Sequence, residues 1–291
     1  MVGIVGKIYD DAPPIRARSP RRGAFGWRAG LRYAARQAKP LAQELFFSVA
    51  AKRALPEDRA SILMYHSIAD GAAGFAAVPV ARFTEQMRLL AESRRPVLPL
   101  PEIVRRLRDG EPLGGAVGIT FDDGYRDCYE FAFPLLRRYG FPASMFIVTG
   151  LIGAAHHDGA PRLGVAEIEE MHRSGLVDIE PHTVTHRPLT RLSDDEIHAE
   201  IGGSKEVIER MLGKSCRLFA FPYGDFDARV TRIARCCGIE AAVTTQAGTA
   251  CPRAELLGLP RNAVEPSTTR SRFLGSISST LVRYEALRDA L

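Results

Sequence analysis

Cysteine is scarce and unpatterned in this chain: five among 291 residues, an odd number, with Cys236 and Cys237 adjacent. That excludes a disulfide-stapled framework and fits a reducing compartment. No stretch approaches the roughly 20 apolar residues that cross a bilayer. The longest candidate, Leu45–Ala51, is closed by Lys52 and Arg53. The N-terminus lacks a continuous apolar segment followed by a small-residue cleavage site, so the expectation is a cytoplasmic or peripherally membrane-associated protein. Histidine is sparse too, with seven in all and none after His198. What the chain does have is an ordinary globular composition, 46% hydrophobic and 25% charged, which excludes a disordered or collagen-like protein and suffices for a deep core.

The net charge of +5 is unevenly spread. Residues 1–55 hold eleven Lys/Arg against three acids, so they carry +8 and the remainder −3. Within this arm Trp27, Leu31, Ala34, Ala35 and Ala38 recur at helical spacing, and Arg28, Arg32 and Arg36 form an i, i+4 row opposite them. The pattern suits a basic amphipathic helix lying on an anionic membrane, and equally a helix packed on the main domain with its arginines in water. Nucleic acid is not expected as a partner, because nothing after residue 55 supports it. The division is a basic helical extension over 1–57 and a catalytic domain over 58–291.

From residue 58 short apolar, β-branched runs alternate with helical patterns, the signature of βα units and a parallel sheet. Strands are predicted at Ser61–His66, Ala116–Phe121, Ala143–Val148, Leu176–Glu180, Arg217–Phe221, Glu240–Thr245 and Leu257–Arg261. Helices are predicted at Val80–Ser93, Leu100–Asp109, Asp127–Tyr139, Val165–Ser174, Asp194–Leu212, Ala228–Cys237 and Ser271–Leu291. Ser193 with Glu196 forms a capping box, and Gly140, Gly175, Gly213 and Gly238 follow helices as C-caps. About seven such units suit a barrel or a doubly wound sheet.

Polar residues gather where these strands end, on the face where parallel α/β folds bind ligands. In Thr120-Phe121-Asp122-Asp123-Gly124 two adjacent carboxylates diverge, as they would if one bound a cation and the other faced substrate. A solvated cap on the following turn is the other reading of Asp123. In His182-Thr183-Val184-Thr185-His186 the β-branched middle and the flanking Pro181 and Pro188 favour a curled loop over a helix. Two imidazoles opposite two aspartates read as metal ligands, with local hydrogen bonding of the histidines as the alternative.

These motifs, followed by Phe221-Pro222-Tyr223-Gly224 and preceded by Leu63-Met64-Tyr65-His66-Ser67-Ile68, resemble the polysaccharide deacetylase family (carbohydrate esterase family four). The likeness spans roughly residues 58–265 and lies nearest the poly-N-acetylglucosamine deacetylase branch. The resemblance implies an α/β fold, a distorted (β/α)7-type barrel, and removal of N-acetyl groups from an N-acetylated glycan. It implies one divalent metal on Asp123, His182 and His186, zinc first, with cobalt, nickel, manganese and iron as alternatives. It also implies Asp122 as general base and the Tyr223 backbone N–H as an oxyanion donor.

Two departures stand out. Ala220 occupies the position where the family's third motif has an arginine that orients the base. The family's C-terminal acid histidine has no counterpart beyond His198. His66, resembling a first-strand histidine of the poly-N-acetylglucosamine branch, is the candidate acid, and otherwise a support for the barrel rim. Arg261 is the candidate replacement for the arginine, and otherwise a rim ion pair. An inert glycan-binding homologue and a hydrolase of small amides are the competing functions.

Overall fold

The computed structural model describes residues 55–71, 74–154, 159–252 and 254–282. The basic arm, and with it the helical and membrane readings, lies outside the described residues. No helix among those described is long and apolar enough to cross a membrane.

The strands read as continuous apolar runs because both of their faces are covered, as parallel sheets require. β1 (Ser61–Tyr65), β2 (Val117–Phe121) and β3 (Ala143–Ile147) are buried at every position. With β4 (Val177–Pro181) and β7 (Asn262–Ala263) they form a five-stranded parallel sheet in the order β4-β3-β2-β1-β7. The register sets Tyr65 beside Phe121 and Ile147 beside Pro181, so these strands deliver their next residues to one rim. β5 (Leu218–Ala220) and β6 (Ala241–Val243) make a second parallel pair.

The strand predicted at Leu257–Arg261 is redrawn. Leu256–Gly258 form a 3₁₀ turn and β7 begins at Asn262. Leu259 still bonds β6, donating to Ala242 O and accepting from Thr244 N–H, both at 2.9 Å. Pro260, which has no N–H for a ladder, marks the crossing from the edge of β6 to the edge of β1. This crossing joins the two sheets. The opposite seam, between β4 and β5, is bridged by side chains: Glu180 Oε2 accepts from Leu218 N–H at 3.1 Å, and Lys214 Nζ bonds Glu180 and Ile179 O. The result is a seven-stranded barrel interrupted at one seam.

Two helices also differ from expectation. The segment Asp127–Tyr139 opens with a π turn over Cys128–Ala132 before the α-helix Phe133–Tyr139. Pro134 offers no N–H to the α-helical ladder, and the Phe133 N–H reaches back to Cys128 O instead. The segment predicted as one helix over Ser271–Leu291 is helical at Arg270–Ser276 and again over residues 279–282. It turns at Ile277–Ser278, where the Ser278 hydroxyl bonds Gly275 O and competes with the helical ladder. Residues 283–291 lie outside those described. The Ser193–Glu196 capping box is present at the start of Asp194–Leu212.

Candidate active site

Asp123 is the second residue beyond β2 and sits at φ 70°, a left-handed conformation that non-glycine residues rarely adopt. Thr183 (68°), His186 (62°) and Tyr223 (59°) share it. Strain of this kind persists only where the surroundings enforce it, and it concentrates at functional sites. Here the four residues converge on one rim.

The Asp123 Oδ1 atom lies 3.3 Å from His186 Nε2 and 3.5 Å from His182 Nε2. The three candidate donor atoms all fall within 4.8 Å of one another. His182 is buried behind β4, and its Nδ1 lies 2.7 Å from Ala220 O. A carbonyl only accepts, so Nδ1 carries the proton and Nε2 presents a lone pair. His186 Nδ1 is occupied by the Tyr223 hydroxyl at 3.2 Å. Asp123 Oδ1 is a buried oxygen without a hydrogen-bond partner. Donors about 2.0–2.1 Å from a tetrahedral ion stand about 3.3–3.4 Å apart, so the Asp123 contacts match the edges of such a shell. The fit is good: an orphaned carboxylate oxygen, two imidazoles with their far nitrogens anchored, and a common focus.

The local charges agree. Burial alone would lower the His182 pKa, but Asp123 and Asp122 outweigh it and raise it. The field that favours a proton there favours a cation. Burial and the neighbouring His182 push His186 down to about 4. Burial would lift Asp123, yet the two histidines hold it well below the carboxylate range.

Asp122, almost fully buried, points to Arg261. The guanidinium donates 2.7 and 2.6 Å hydrogen bonds to Asp122 Oδ1 and Oδ2, a third to Thr120 Oγ1 at 3.1 Å, and a fourth from Nε to Thr244 O at 2.9 Å. Among the described residues Arg261 is the largest fully buried side chain. Burial would raise the Asp122 pKa, and the Arg261 charge overrides it. Arg261 lies in the crossing ahead of β7 rather than at the end of a strand, and it reaches Asp122 from there, while the Ala220 carbonyl faces His182 Nδ1.

His66 follows β1. Burial lowers its pKa, with Asp122 and Asp123 pulling the other way. The chain after it is tied down by Asp127, which accepts from Ser67 Oγ (2.5 Å) and Ile68 N–H (3.0 Å), while Cys128 Sγ donates to His66 O. Tyr223 sits in the 3₁₀ turn Pro222–Gly224, its carbonyl accepting from Thr245 Oγ1 at 3.2 Å. Asp122, Asp123, His66, His182, His186 and Tyr223 all line one cavity of about 670 Å³.

Glu200 escaped the sequence reading. Its Oε2 accepts from the Val184 and Thr185 N–H groups, both at 2.9 Å, its Oε1 accepts from the Thr185 hydroxyl, and Thr183 Oγ1 accepts from His186 N–H at 2.9 Å. These bonds hold the two-histidine loop in its curl. The signal was a carboxylate on the inward stripe of Asp194–Leu212, among Ile197, Ile201, Ser204 and Ile208.

The sequence profile described as Polysaccharide deacetylase matches residues 109–242. The family member YxkH of Bacillus subtilis (strain 168) is 32% identical over 219 residues, covering 75% of this chain and 76% of that protein. The chain belongs to the polysaccharide deacetylase family. Its deacetylase relatives include the poly-beta-1,6-N-acetyl-D-glucosamine N-deacetylase of Staphylococcus aureus, 25% identical across 63% of this chain and 66% of that protein. In structure it is similar to the Streptococcus pyogenes deacetylase PplD, solved with acetate (TM-score 0.69, 27% identity, 76% of this chain and 99% of that one). It also shares the fold of IcaB from Ammonifex degensii (TM-score 0.70, 23% identity, 77% and 99%). As a member of the deacetylase family the chain is a hydrolase.

Proposed function

We propose that this deacetylase removes N-acetyl groups from an N-acetylated glycan, using a divalent ion, zinc first, on Asp123, His182 and His186. The observation that carries the reading is the orphaned, buried Asp123 Oδ1 facing the Nε2 atoms of His182 and His186 beside the second, arginine-clamped carboxylate. Two imidazoles and one carboxylate are a familiar zinc set. When bound, such an ion lowers the pKa of a coordinated water and polarises the acyl carbonyl.

The residues around that position take defined parts. Asp122 accepts the proton of the attacking water, and Arg261 keeps it ionised and aimed. The Tyr223 backbone N–H, set by its left-handed turn, donates to the oxygen that gains charge. His66 gives a proton to the departing amine. Its burial-lowered pKa makes the charged form a ready donor, and the field of the two carboxylates supports that charge. The S. aureus relative's name supports an N-acetylglucosamine polymer as the substrate class.

The test is acetate release over a panel of N-acetylated glycans, with metal analysis alongside. Asp122→Asn is expected to abolish release while retaining metal. Full activity in that variant, or no release from any glycan by the wild type, overturns the reading.

A further inference from the structure

Five large apolar side chains are exposed among the described residues, and only two of them, Phe75 and Tyr223, line the catalytic cavity. Phe75 is 65% exposed and Tyr223 63%. Each ring meets a site imidazole edge to face: Phe75 lies 5.1 Å from His66 (interplanar 81°), and Tyr223 lies 4.7 Å from His186 (62°). The exposed rings therefore border the reacting centre from the two segments that carry its outermost groups.

Phe75 is held there by more than its own contacts. Its N–H donates to the Tyr125 hydroxyl at 3.0 Å, and the Arg162 guanidinium lies 3.7 Å over the Tyr125 ring. Gly74 is pressed against that ring so closely that a Cβ would stand 2.1 Å from Tyr125 Cε1. The backbone is fixed while the ring stays in water, the arrangement expected of a preorganised contact rather than of a residue seeking burial. Exposed aromatics rimming a polar cavity mark ligand sites.

The geometry points to Phe75 as a saccharide-stacking residue, a specificity determinant that seats the pyranose ring next to the acylated one. This rests on the deacetylase reading of the cavity. A pyranose is polar at its edge and apolar on its C–H faces, so a fixed aromatic face takes it without desolvating its hydroxyls. A lipid surface would also receive an exposed phenyl ring, but the place of Phe75 in the cavity lining, in T-shaped contact with His66, favours the sugar.

The experiment is calorimetric titration of the zinc-loaded protein, in an Asp122→Asn background, with N-acetylglucosamine pentamers, β-1,4- and β-1,6-linked. Phe75→Ala is expected to weaken the better-bound pentamer about tenfold, on the scale of one interface anchor, with a smaller loss for the monosaccharide. Phe75→Tyr, which keeps the ring face, is expected to hold affinity within about twofold of the parent. Unchanged pentamer affinity in Phe75→Ala overturns the inference, all the more if the same change weakens binding to phosphatidylglycerol vesicles. Phe75-dependent pentamer binding by a wild type that releases no acetate would uphold the inference while the hydrolase reading falls. Acetate release indifferent to Phe75 would do the reverse, and no pentamer binding at all would end both.

Discussion

Arg261 and Asp122 stand 139 residues apart in the chain and share two parallel hydrogen bonds inside the barrel, with Arg261 wholly removed from solvent. A guanidinium fork matches a carboxylate at both oxygens, so the pair fixes the rotation of Asp122 as well as its charge. The arginine reaches Asp122 from a different segment than the family's third motif would use.

Arg261→Lys keeps the charge but cannot form the fork. It is expected to lower kcat on an acetylated glycan about 10²-fold, the scale of general-base catalysis, with metal content unchanged. Arg261→Met leaves Asp122 buried and uncompensated, at a cost of about 3–5 kcal/mol. Steady-state kinetics with metal analysis checks the first, and urea unfolding the second.

Metal binding should register as stability. Zinc at 100 times its dissociation constant adds about 2.7 kcal/mol, which for a domain of this size raises the melting temperature by about 5–10 °C. Chelation is expected to reverse the rise. Asp123→Ala, which removes the central donor, is expected to abolish it; an undiminished shift in that variant would place the ion elsewhere.

Glu200→Gln replaces a carboxylate that accepts from two backbone N–H groups and a hydroxyl. The expected result is metal affinity lowered about 10- to 100-fold, as for other residues that orient ligands from behind. A stability loss of about 1–3 kcal/mol accompanies it. Competition against a zinc chelator measures the first quantity. Unaltered affinity would show that the histidine loop holds its curl without Glu200.

The β4–β5 seam depends on Lys214. Burial pushes the Glu180 carboxyl up, and the Lys214 ammonium, itself held charged by Glu180 and Asp178, pulls it back and keeps the pair ionised. Lys214→Met is expected to destabilise the barrel by about 3 kcal/mol by stranding the carboxylate. Adding Glu180→Gln should recover part of the loss, because the amide carries no charge to desolvate while its oxygen still faces the Leu218 N–H. Urea midpoints of the two variants decide the matter.

Much of the fold was legible along the chain. The strand cores and most helices follow from local apolar pattern, and the capping box from two residues three apart. The boundaries that moved did so for reasons beyond pattern. Pro260 sits inside an apolar stretch that crosses between sheet edges, and the Asp127–Tyr139 helix opens as a π turn that ends just ahead of Pro134. Asp123, His182 and His186 could be named because their motifs are short and contiguous. Glu200 could not, since its partners lie 15 and 16 residues away across a packed interface.

By itself the amino-acid sequence determined which residue types could do chemistry and the order in which parallel strands would present them, because periodicity and chain direction are local properties. Closure of the barrel decided the rest. It set Arg261 against Asp122, left Asp123 Oδ1 without a donor, and pinned Phe75 through Tyr125, since each of these depends on which distant segments share a boundary that excludes water.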